Sequence, residues 1–586
     1  MKISNVVIKN YRNIKDINIS LNDNVVLIGD NNSGKSNFLK ALTLPLINHE
    51  TGYVNKLLNW QDINKEAKED YFNFLKKNKS EIISGNIEVD KFKDIIPNVQ
   101  VILDFEISNS EEIYFVRNWL KEIDEENIVA SIKYEFMVDN PKELFEYVAE
   151  VLEKNDEINI IKMNLLPLEY YSYKIINPLK DDNVSLSDLS YFKYNSLAAE
   201  RDEFSNKPTK LGSKSLVTLL NSKLEVHDKT RIETSYENFL SELKNIESID
   251  GIFNWQTDSF INNAEEFFEE ITLLPNIPTI KSLLNNVRLG YGEEYLDTQG
   301  LGYRNLIYLF VMMNALSLEK NVALNVLTIE EPEAHLSISN KRLLASYINA
   351  ITKEDAQLQI FISTHSQEFL NKLKLENVVI FNNGKAKSLK QELENKDINY
   401  LSKKPNLDFL KFLFSRNCIL VEGPTEELLI KNFLSTHSNE LNDIEVITLN
   451  HKGFRDMMHI WLLVNEGTQN KLGIIRDYDN QPKALKAHEV YNDYENIYVK
   501  TTRYYTLEDE IVNTDENYMI LKKYFEQEHQ WGDIENAKDL SDKWKSKKAD
   551  TMLRFCQDIG EDLLTDIKMP KHINDVIHFI QNGEKL

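Results

Sequence analysis

The sequence predicts an α/β protein in which two regions of alternating strands and helices are joined through one chain, with a helical insert in the first. Three observations predict this organisation. Apolar runs typical of buried strands occur on both sides of an amphipathic helical stretch, and a second series of strands and helices begins near residue 415. The chain has 586 residues, which is long enough for two or three hydrophobic cores.

The first region alternates apolar and polar residues from its start and then contains the buried-strand run Val25–Ile28, with a helix following at Gly34. Residues 101–107 and 130–134 are further strand candidates. Residues 205–275 are amphipathic with helical spacing. Strand character returns at 322–329 and 358–363, and each of these strands ends in a polar motif, where a parallel sheet presents its carboxyl edge.

A polar segment rich in Lys and Asn, residues 382–408, is predicted to be a linker before the second region. These patterns divide the chain into four parts: a first α/β part at 1–204, a helical insert at 205–278, a return to α/β structure at 279–400, and a second α/β domain with a helical tail at 401–586.

Composition excludes several classes of protein. The formal net charge of −25 argues against a uniformly basic nucleic-acid coat, although Lys543–Lys548 could form a local basic patch and equally suits a solvated helix face. Two cysteines, Cys418 and Cys556, are too few for a disulfide framework or a four-cysteine zinc site. No apolar run approaches the ~20 residues that cross a bilayer and no secretory segment opens the chain, so we expect no membrane association and a cytoplasmic location.

The run Gly29–Ser36 matches the phosphate-binding pattern G-x-x-x-x-G-K-[ST] between a strand and a helix. Its glycines let backbone N–H groups turn toward phosphate, Lys35 reaches the terminal phosphates, and Ser36 binds Mg²⁺. The motif therefore predicts an ATP site. The residues assigned to it here are Asn31, Asn32, Ser33, Gly34, Lys35, Ser36 and Asn37.

Two further strand ends supply partners for this site. Glu330 and Glu331 close the strand at 326–330; one carboxylate orients Mg²⁺ and the other, Glu331, polarises the attacking water. The continuation Glu-Pro-Glu-Ala-His resembles the Walker B motif and D-loop of ABC-type ATPases, and His365 resembles their switch histidine, which senses the γ-phosphate.

Two more segments resemble SMC-like and RecF-like members of the ABC-type class. Arg12, in Asn-Tyr-Arg-Asn, matches an early arginine that lies near the nucleotide, and the segment 298–306 is similar to the signature motif that completes the ATP site of a second subunit. Its Gly-Leu-Gly departs from the usual Ser-Gly-Gly, and Glu330 replaces the more common Asp. The resemblance implies at least a homodimer.

The second region places carboxylates after two predicted strands. Glu422 and Glu426 follow the strand at 418–421, and Asp477 and Asp479 follow the strand at 472–476. If these strands are neighbours in a parallel sheet, the four carboxylates lie within a few ångströms of one another and repel strongly unless divalent cations neutralise them. The sequence therefore predicts a Mg²⁺ or Mn²⁺ site, although each acidic pair alone suits a solvated strand end.

The spacing of these acids resembles the Toprim domain of topoisomerases, primases and certain nucleases. Glu508, with Glu510 as the next choice, supplies a third acidic element, which completes a two-metal arrangement for phosphodiester hydrolysis. An ABC-type ATPase with a helical insertion, followed by Toprim, is similar to the OLD (overcoming lysogenization defect) family of nucleases, which includes the nuclease subunit of the Gabija antiphage system. The resemblance implies that 1–204 and 279–400 are the two parts of the ATPase, that 205–278 is a helical dimerisation insert, and that 401–586 is the Toprim nuclease domain with its helical tail. The resemblance also implies a tail lysine that assists cleavage, with Lys547 or Lys548 as candidates and Lys548 preferred.

The resemblance implies an ATP-regulated, metal-dependent DNA endonuclease of antiphage defence, with ATP, one Mg²⁺ beside it and two Mg²⁺ or Mn²⁺ ions at the Toprim site. Its implied partners are DNA, further copies of the chain, and a UvrD-like helicase or a retron reverse transcriptase with its DNA. A RecF-like or SMC-like repair ATPase with a non-catalytic Toprim module is the alternative. A topoisomerase or primase is a third reading, in which a topoisomerase would leave a tyrosine joined to DNA.

Overall fold

The computed structural model describes residues 1–49, 51–123, 128–155, 158–198, 211–246, 278–319, 322–354, 357–394, 398, 409–437, 443–449, 453–559, 564 and 566–586. These residues fall into two compact units. The first unit comprises residues 1–12, 21–25 and 36–364, and the second comprises residues 13–20, 26–35 and 365–586. Each unit has α/β architecture, as the sequence predicts.

The strands, in chain order, are β1 (Lys2–Tyr11), β2 (Ile14–Ser20), β3 (Asn24–Gly29), β4 (Ile47–Asn48), β5 (Val99–Glu106), β6 (Leu120–Ile123), β7 (Ile128–Val138), β8 (Tyr171–Ile176), β9 (Phe192–Leu197), β10 (Gly290–Tyr291), β11 (Glu294–Tyr295), β12 (Leu324–Glu330), β13 (Leu358–Ser363), β14 (Val378–Asn382), β15 (Lys385–Ser388), β16 (Asn417–Val421), β17 (Ile444–Thr448), β18 (Lys471–Arg476) and β19 (Ile497–Thr501).

The α-helices, in chain order, are α1 (Lys35–Leu42), α2 (Lys65–Lys77), α3 (Lys79–Ile83), α4 (Val89–Ile95), α5 (Ile113–Val116), α6 (Pro141–Lys154), α7 (Lys162–Leu165), α8 (Leu186–Leu189), α9 (Leu211–Lys223), α10 (Val226–Lys244), α11 (Ile280–Leu284), α12 (Leu301–Ser317), α13 (Ile338–Glu354), α14 (Gln367–Lys372), α15 (Leu389–Glu392), α16 (Phe409–Phe414), α17 (Pro424–His437), α18 (Phe454–Asn465), α19 (Pro482–Glu489), α20 (Leu507–Val512), α21 (Asn517–Glu528), α22 (Ala537–Ser546), α23 (Lys548–Asp558) and α24 (Lys571–Asn582).

Two sheets organise the first unit. Strands β1, β5, β7 and β6 are antiparallel neighbours in that order, and β8 also pairs with β7. Strands β13, β12, β9 and β4 are parallel neighbours, and β12 is buried along almost its whole length because both faces of such a sheet are covered. The register places Glu330 opposite Ser363, so the two polar motifs that follow β12 and β13 lie at one edge.

The described part of the predicted insert is mostly helical. Helices α9 and α10 cover most of residues 211–244, and α9 packs against α12, with the Ser215 hydroxyl 3.3 Å from the sulfur of Met312. The rest of the predicted insert, residues 205–210 and 247–277, lies outside the described residues.

The predicted linker at 382–408 is partly wrong, because its first residues form a hairpin. Strand β14 pairs in parallel with β3 and antiparallel with β15, and Asn383 and Gly384 form the two-residue turn with positive φ angles of 47° and 76°. Asn-Gly is the favoured pair for this turn. The tip contacts the phosphate-binding loop: Gly384 N donates to Ser33 O at 2.8 Å, and a Cβ at Gly384 would lie 2.0 Å from Asn13 O. Of the remainder, 389–392 forms α15, whereas 395–397 and 399–408 lie outside the described residues.

A four-stranded parallel sheet organises the C-terminal part of the second unit, in the order β17, β16, β18, β19. The order in which the chain adds strands reverses between β16 and β18, which makes this position a topological switch point. Open parallel sheets bind ligands at a switch point, beyond the carboxyl ends of the strands. The tail helices complete the core with large buried side chains, among them Trp544 and Phe555. Cys418 and Cys556 are buried and unpaired, as expected for small apolar residues.

Candidate functional site

The phosphate-binding loop is shaped by two glycines. Gly29 and Gly34 have φ angles of 155° and 122°, and a Cβ at Gly29 would lie 2.4 Å from Phe381 O, so only glycine fits there. Lys35 is buried, and its ammonium donates to Gly29 O at 2.6 Å and to Asp30 O at 2.9 Å. The loop thus has the strand, glycines and lysine that the sequence motif requires.

The remaining residues of the motif lie at the positions expected from the sequence. Asn31 and Asn32 are exposed, and Asn32 O accepts from Asn13 Nδ2 at 3.0 Å. Ser33 is buried, and its hydroxyl has no hydrogen-bond partner among the described residues. A buried hydroxyl of this kind is a donor that a bound phosphate oxygen would satisfy.

Within the first unit, Ser36 meets the first predicted Walker B acid, because its hydroxyl donates to Glu330 Oε2. Arg12 donates through Nε to Asp62 Oδ1 at 2.8 Å and through one terminal nitrogen to Asn37 Oδ1 at 3.1 Å. The structure therefore brings together Ser36 with Glu330 and Arg12 with Asn37, which the sequence could assign only by motif.

Glu331 starts a tight turn after β12. Its φ angle is 45°, and its N–H donates to Ser363 O at 2.9 Å, which holds the turn against the end of β13. Thr364 donates to Glu333 Oε1 at 2.8 Å. The start of α12, in the predicted signature segment, packs on this turn so closely that a Cβ at Gly302 would lie 2.4 Å from His335 O.

His365 is exposed and lies in the second unit with the phosphate-binding loop. Burial raises the pKa of Asp30, and the charges of Lys35 and His365 oppose that rise. The charge of His365 therefore acts on Asp30 in the loop, and its role as a γ-phosphate sensor stays a prediction.

The four acids of the second region lie where the sequence predicts, at the carboxyl ends of the neighbouring strands β16 and β18. Glu422 Oε2 accepts a hydrogen bond from the backbone N–H of Asp477 at 3.2 Å. Burial raises the pKa of Glu422, the Asp477 hydrogen bond lowers it, and the charges of Asp479 and Glu426 raise it further. The charges of Asp479 and Glu426 therefore both reach Glu422.

The predicted tight cage is not preformed. Among the residues that the structure describes, no three Asp, Glu, His or Cys side chains lie close enough together to hold one metal ion. Two of the four carboxylates have neutral partners, which is more favourable than facing another anion: Glu422 accepts from the Asp477 N–H, and Glu426 Oε2 accepts from Thr425 Oγ1 at 3.1 Å. The donor set, carboxylate oxygens on adjacent strand ends, nevertheless suits Mg²⁺ or Mn²⁺.

The third acidic element lies on helix α20, and its three carboxylates have different surroundings. Glu508 is 0% exposed. Asp509 accepts from Lys545 Nζ at 2.8 Å, whereas Glu510 Oε2 accepts from the backbone N–H groups of Arg503 at 2.8 Å and Tyr504 at 3.0 Å. Glu510 thus holds the preceding loop, which leaves Glu508 as the candidate ligand of this element.

The lysines of the tail differ in position. Lys545 contacts helix α20 through Asp509, and Lys547 Nζ lies 5.6 Å from the centre of the Trp531 ring. The side chain of Lys548 lies outside the described residues, so its predicted catalytic role stays a prediction. Sequence reasoning missed Lys545, because a run of four lysines in six residues gives no signal of which one reaches the acidic helix α20.

Arg476 is a second residue that sequence reasoning missed. Its buried side chain ends β18 immediately before Asp477, and one terminal nitrogen lies 3.1 Å from His488 Nδ1. Burial lowers the pKa of Arg476, and the charges of Glu422, Asp479 and Asp477 raise it. The cation therefore partly neutralises the acidic site. An arginine closing the apolar strand Leu-Gly-Ile-Ile was the available signal.

Among the described residues, no helix combines the length and apolar character needed to cross a membrane.

Comparisons with known proteins find relatives of both predicted domains. Residues 1–370 match the family described as AAA ATPase domain, and residues 413–479 match the family described as overcoming lysogenization defect protein-like, TOPRIM domain. Two relatives are named Endonuclease GajA. The protein of Bacillus cereus strain HuB5-5 is 24% identical over 76% of this chain and 69% of its own length, and that of strain VD045 is 26% identical over 74% and 68%.

A third relative, the DNA replication and repair protein RecF of Clostridium beijerinckii, is 29% identical over 18% of this chain and 32% of its own length. This shorter match agrees with the predicted RecF-like character of part of the ATPase. The first family covers well over half of the residues and the second contains Glu422, Glu426, Asp477 and Asp479. The chain therefore belongs to the AAA ATPase domain family and carries, C-terminal to that domain, a TOPRIM domain of the overcoming lysogenization defect type.

Proposed function

We propose that this chain is an ATP-regulated DNA endonuclease that needs divalent metal ions and acts in antiphage defence. The observation that carries the proposal is the position of Glu422, Glu426, Asp477 and Asp479 at the switch point of a parallel sheet, in a chain that also has a complete set of ATPase motifs. The names of the two GajA relatives support the endonuclease activity.

We assign the two TOPRIM metal ions to the carboxylates of Glu422, Glu426, Asp477, Asp479 and Glu508. When bound, Mg²⁺ or Mn²⁺ supplies a water of lowered pKa and stabilises the leaving oxygen of a phosphodiester. Glu422 can turn toward the ions by exchanging its hydrogen bond from the Asp477 N–H for an ionic contact. Arg476 stays charged beside them and can attract the phosphate that is cut. A tail lysine, Lys548 by resemblance, assists the reaction.

We assign ATP to the motif Gly29–Ser36 and, by resemblance, to Arg12 and Asn37. Lys35 binds the terminal phosphates, Ser36 and Glu330 hold one Mg²⁺, Glu331 polarises water, and His365 senses the γ-phosphate.

A Glu331→Gln variant should bind ATP normally and lose at least 100-fold in its hydrolysis rate, because the amide cannot accept a proton. Equal hydrolysis by variant and wild type would contradict this assignment.

Cleavage is tested with supercoiled plasmid and Mg²⁺ or Mn²⁺. We expect wild type to nick the plasmid and Glu422→Gln to lose at least 100-fold in rate, because the amide has one neutral acceptor where the ion needs a charge. Glu495→Gln is the matched control, since Glu495 is exposed just before the amino end of β19, at the opposite edge of the same sheet.

The same assay separates the alternatives. An intact plasmid with every metal, combined with ATP-dependent DNA binding, would favour the RecF-like or SMC-like repair ATPase with a non-catalytic TOPRIM module. The observation that favours this alternative is that the described residues contain no preformed group of three metal ligands. Protein covalently attached to nicked DNA would instead indicate a topoisomerase.

We also propose a homodimer or larger homo-oligomer, in which the segment 298–306 of one subunit completes the ATP site of another. Light scattering with and without ATP measures this assembly, and a monomer in both conditions would contradict it. The proposed place of action is the cytoplasm, where DNA and a UvrD-like helicase, or a retron reverse transcriptase with its DNA, are the partners to test by co-purification.

A further inference from the structure

Three consecutive exposed side chains, Arg503, Tyr504 and Tyr505, form a loop between β19 and α20, which we call the RYY loop. Tyr504 is 45% exposed and Tyr505 is 49% exposed. Large aromatic side chains are costly to leave in water, and two adjacent ones beside a charged site mark a surface that binds something.

The loop is held rigidly by buried groups. The buried carboxylate of Glu510 accepts from the N–H groups of Arg503 and Tyr504, at 2.8 and 3.0 Å, and the Thr502 hydroxyl donates to Tyr504 O at 2.8 Å. Charge-assisted hydrogen bonds of this kind fix a backbone more firmly than neutral ones. The exposed rings are therefore presented by an ordered backbone.

The loop is also joined directly to the acidic site. The backbone N–H of Asp479 donates to Tyr505 O at 3.2 Å, and the N–H of Tyr478 donates to Thr502 Oγ1 at 2.9 Å. Asp479 has a φ angle of 49°, so the turn that carries this acid and the RYY loop are fastened to each other. The backbone that carries the two rings is therefore hydrogen-bonded directly to the turn that carries Asp479.

We propose that the RYY loop binds an unstacked nucleobase next to the phosphodiester that is cut, so that the preferred substrate has an unpaired or distorted nucleotide at that point. The aromatic faces stack on the base and the guanidinium of Arg503 attracts a neighbouring phosphate. A fully paired duplex keeps its bases stacked on one another and offers no face to the rings. This inference rests on the proposed function and names its substrate class.

Binding is measured with the cleavage-deficient Glu422→Gln protein, so that the readout does not depend on cutting. The probes are a paired duplex and the same duplex with one unpaired 2-aminopurine, whose fluorescence falls when it stacks on a ring. We expect tighter binding and quenching with the unpaired probe. Tyr504→Ala and Tyr505→Ala should weaken that binding about tenfold or more, whereas the two Tyr→Phe variants should keep most of it.

Tyr114→Ala is the matched control, because Tyr114 is 63% exposed and lies in the first unit, remote in sequence from the acids. Melting temperatures check that each variant is folded. Unchanged affinity and quenching in both Tyr→Ala variants, or equal losses in the Tyr→Phe and Tyr→Ala variants, would overturn the proposal. If Glu422→Gln cuts as fast as wild type, the nuclease assignment fails while a tyrosine-dependent quench still supports the loop. If no probe binds, the loop proposal also fails.

Discussion

Gly302 occupies a contact that no other residue can fill. A Cβ there would meet His335 O at 2.4 Å, whereas a Cβ at Gly300, two residues earlier, would have no atom within 4 Å. Both glycines lie at the start of α12, so the pair separates the effect of packing from the effect of helix formation. Gly302 therefore fixes how the predicted signature segment lies against the turn that carries Glu331.

We predict that Gly302→Ala lowers the free energy of unfolding by about 1–3 kcal/mol, because the added methyl group forces the helix away from the turn. Gly300→Ala should cost only about 0.5 kcal/mol, since alanine is a poorer N-cap than glycine but meets no neighbour. Denaturant midpoints and ATP hydrolysis rates measure both. Equal stability and activity of the two variants would show that the helix does not depend on this contact.

At the scale of elements, an ion-pair group ties β4 and β9 to the segment after α12. His49, directly after β4, pairs with Glu319 Oε1, and Lys193 Nζ on β9 lies 3.6 Å from Glu319 Oε2. Burial would raise the pKa of Glu319, but hydrogen bonds and charge from His49 and Lys193 hold that pKa below its usual value. Folding thus favours the ionised form of the Glu319 side chain over its protonated form.

A pKa that folding depresses gives stability that is present above the unfolded-state pKa of about 4.3 and is lost as the pH falls through the folded value. We therefore predict that Glu319→Gln lowers the melting temperature at pH 7 and that the difference from wild type shrinks below about pH 4. Melting curves from pH 3 to pH 8 measure this. The exposed Glu495→Gln variant is the control, and a difference that stays constant down to pH 3 would contradict the prediction.

The sequence predicts an element well when its signal is local. The strand, turn and helix around Lys35 are specified by adjacent residues, and so are the strand ends that carry Glu422 and Asp477. The hairpin turn at Asn383 and Gly384 was also locally readable, but the surrounding lysines and asparagines suggested a linker. In contrast, the choice of Lys545 over its neighbours, and the contact of Arg476 with His488, depend on side-chain directions set by tertiary packing.

At the scale of the whole molecule, 93 acidic residues outnumber 68 basic ones. The net negative charge repels DNA at long range, so we expect only a few Lys and Arg side chains to contact phosphates. The logarithm of the DNA-binding constant falls linearly with the logarithm of the salt concentration, and the slope is proportional to the number of phosphates that the protein neutralises. Recognition through the RYY loop and bound metal ions would need only a few such contacts.

We predict that the logarithm of the DNA-binding constant falls with the logarithm of salt concentration with a slope no steeper than about −4, which corresponds to about four phosphate contacts. Fluorescence anisotropy with the Glu422→Gln protein, at fixed Mg²⁺ and 50–200 mM salt, measures the slope. A slope steeper than about −6 would instead indicate an extended basic groove.

The hairpin of β14 and β15 touches two functional regions at once. Its turn holds Ser33 O through Gly384 N, and two residues away Asn382 Nδ2 donates to Val464 O at 2.7 Å, near the end of α18 in the TOPRIM domain. A two-residue turn is too short to bend independently of its strands. We therefore expect a displacement of the phosphate-binding loop to be transmitted through the hairpin to α18, which would couple the proposed nucleotide site to the TOPRIM domain.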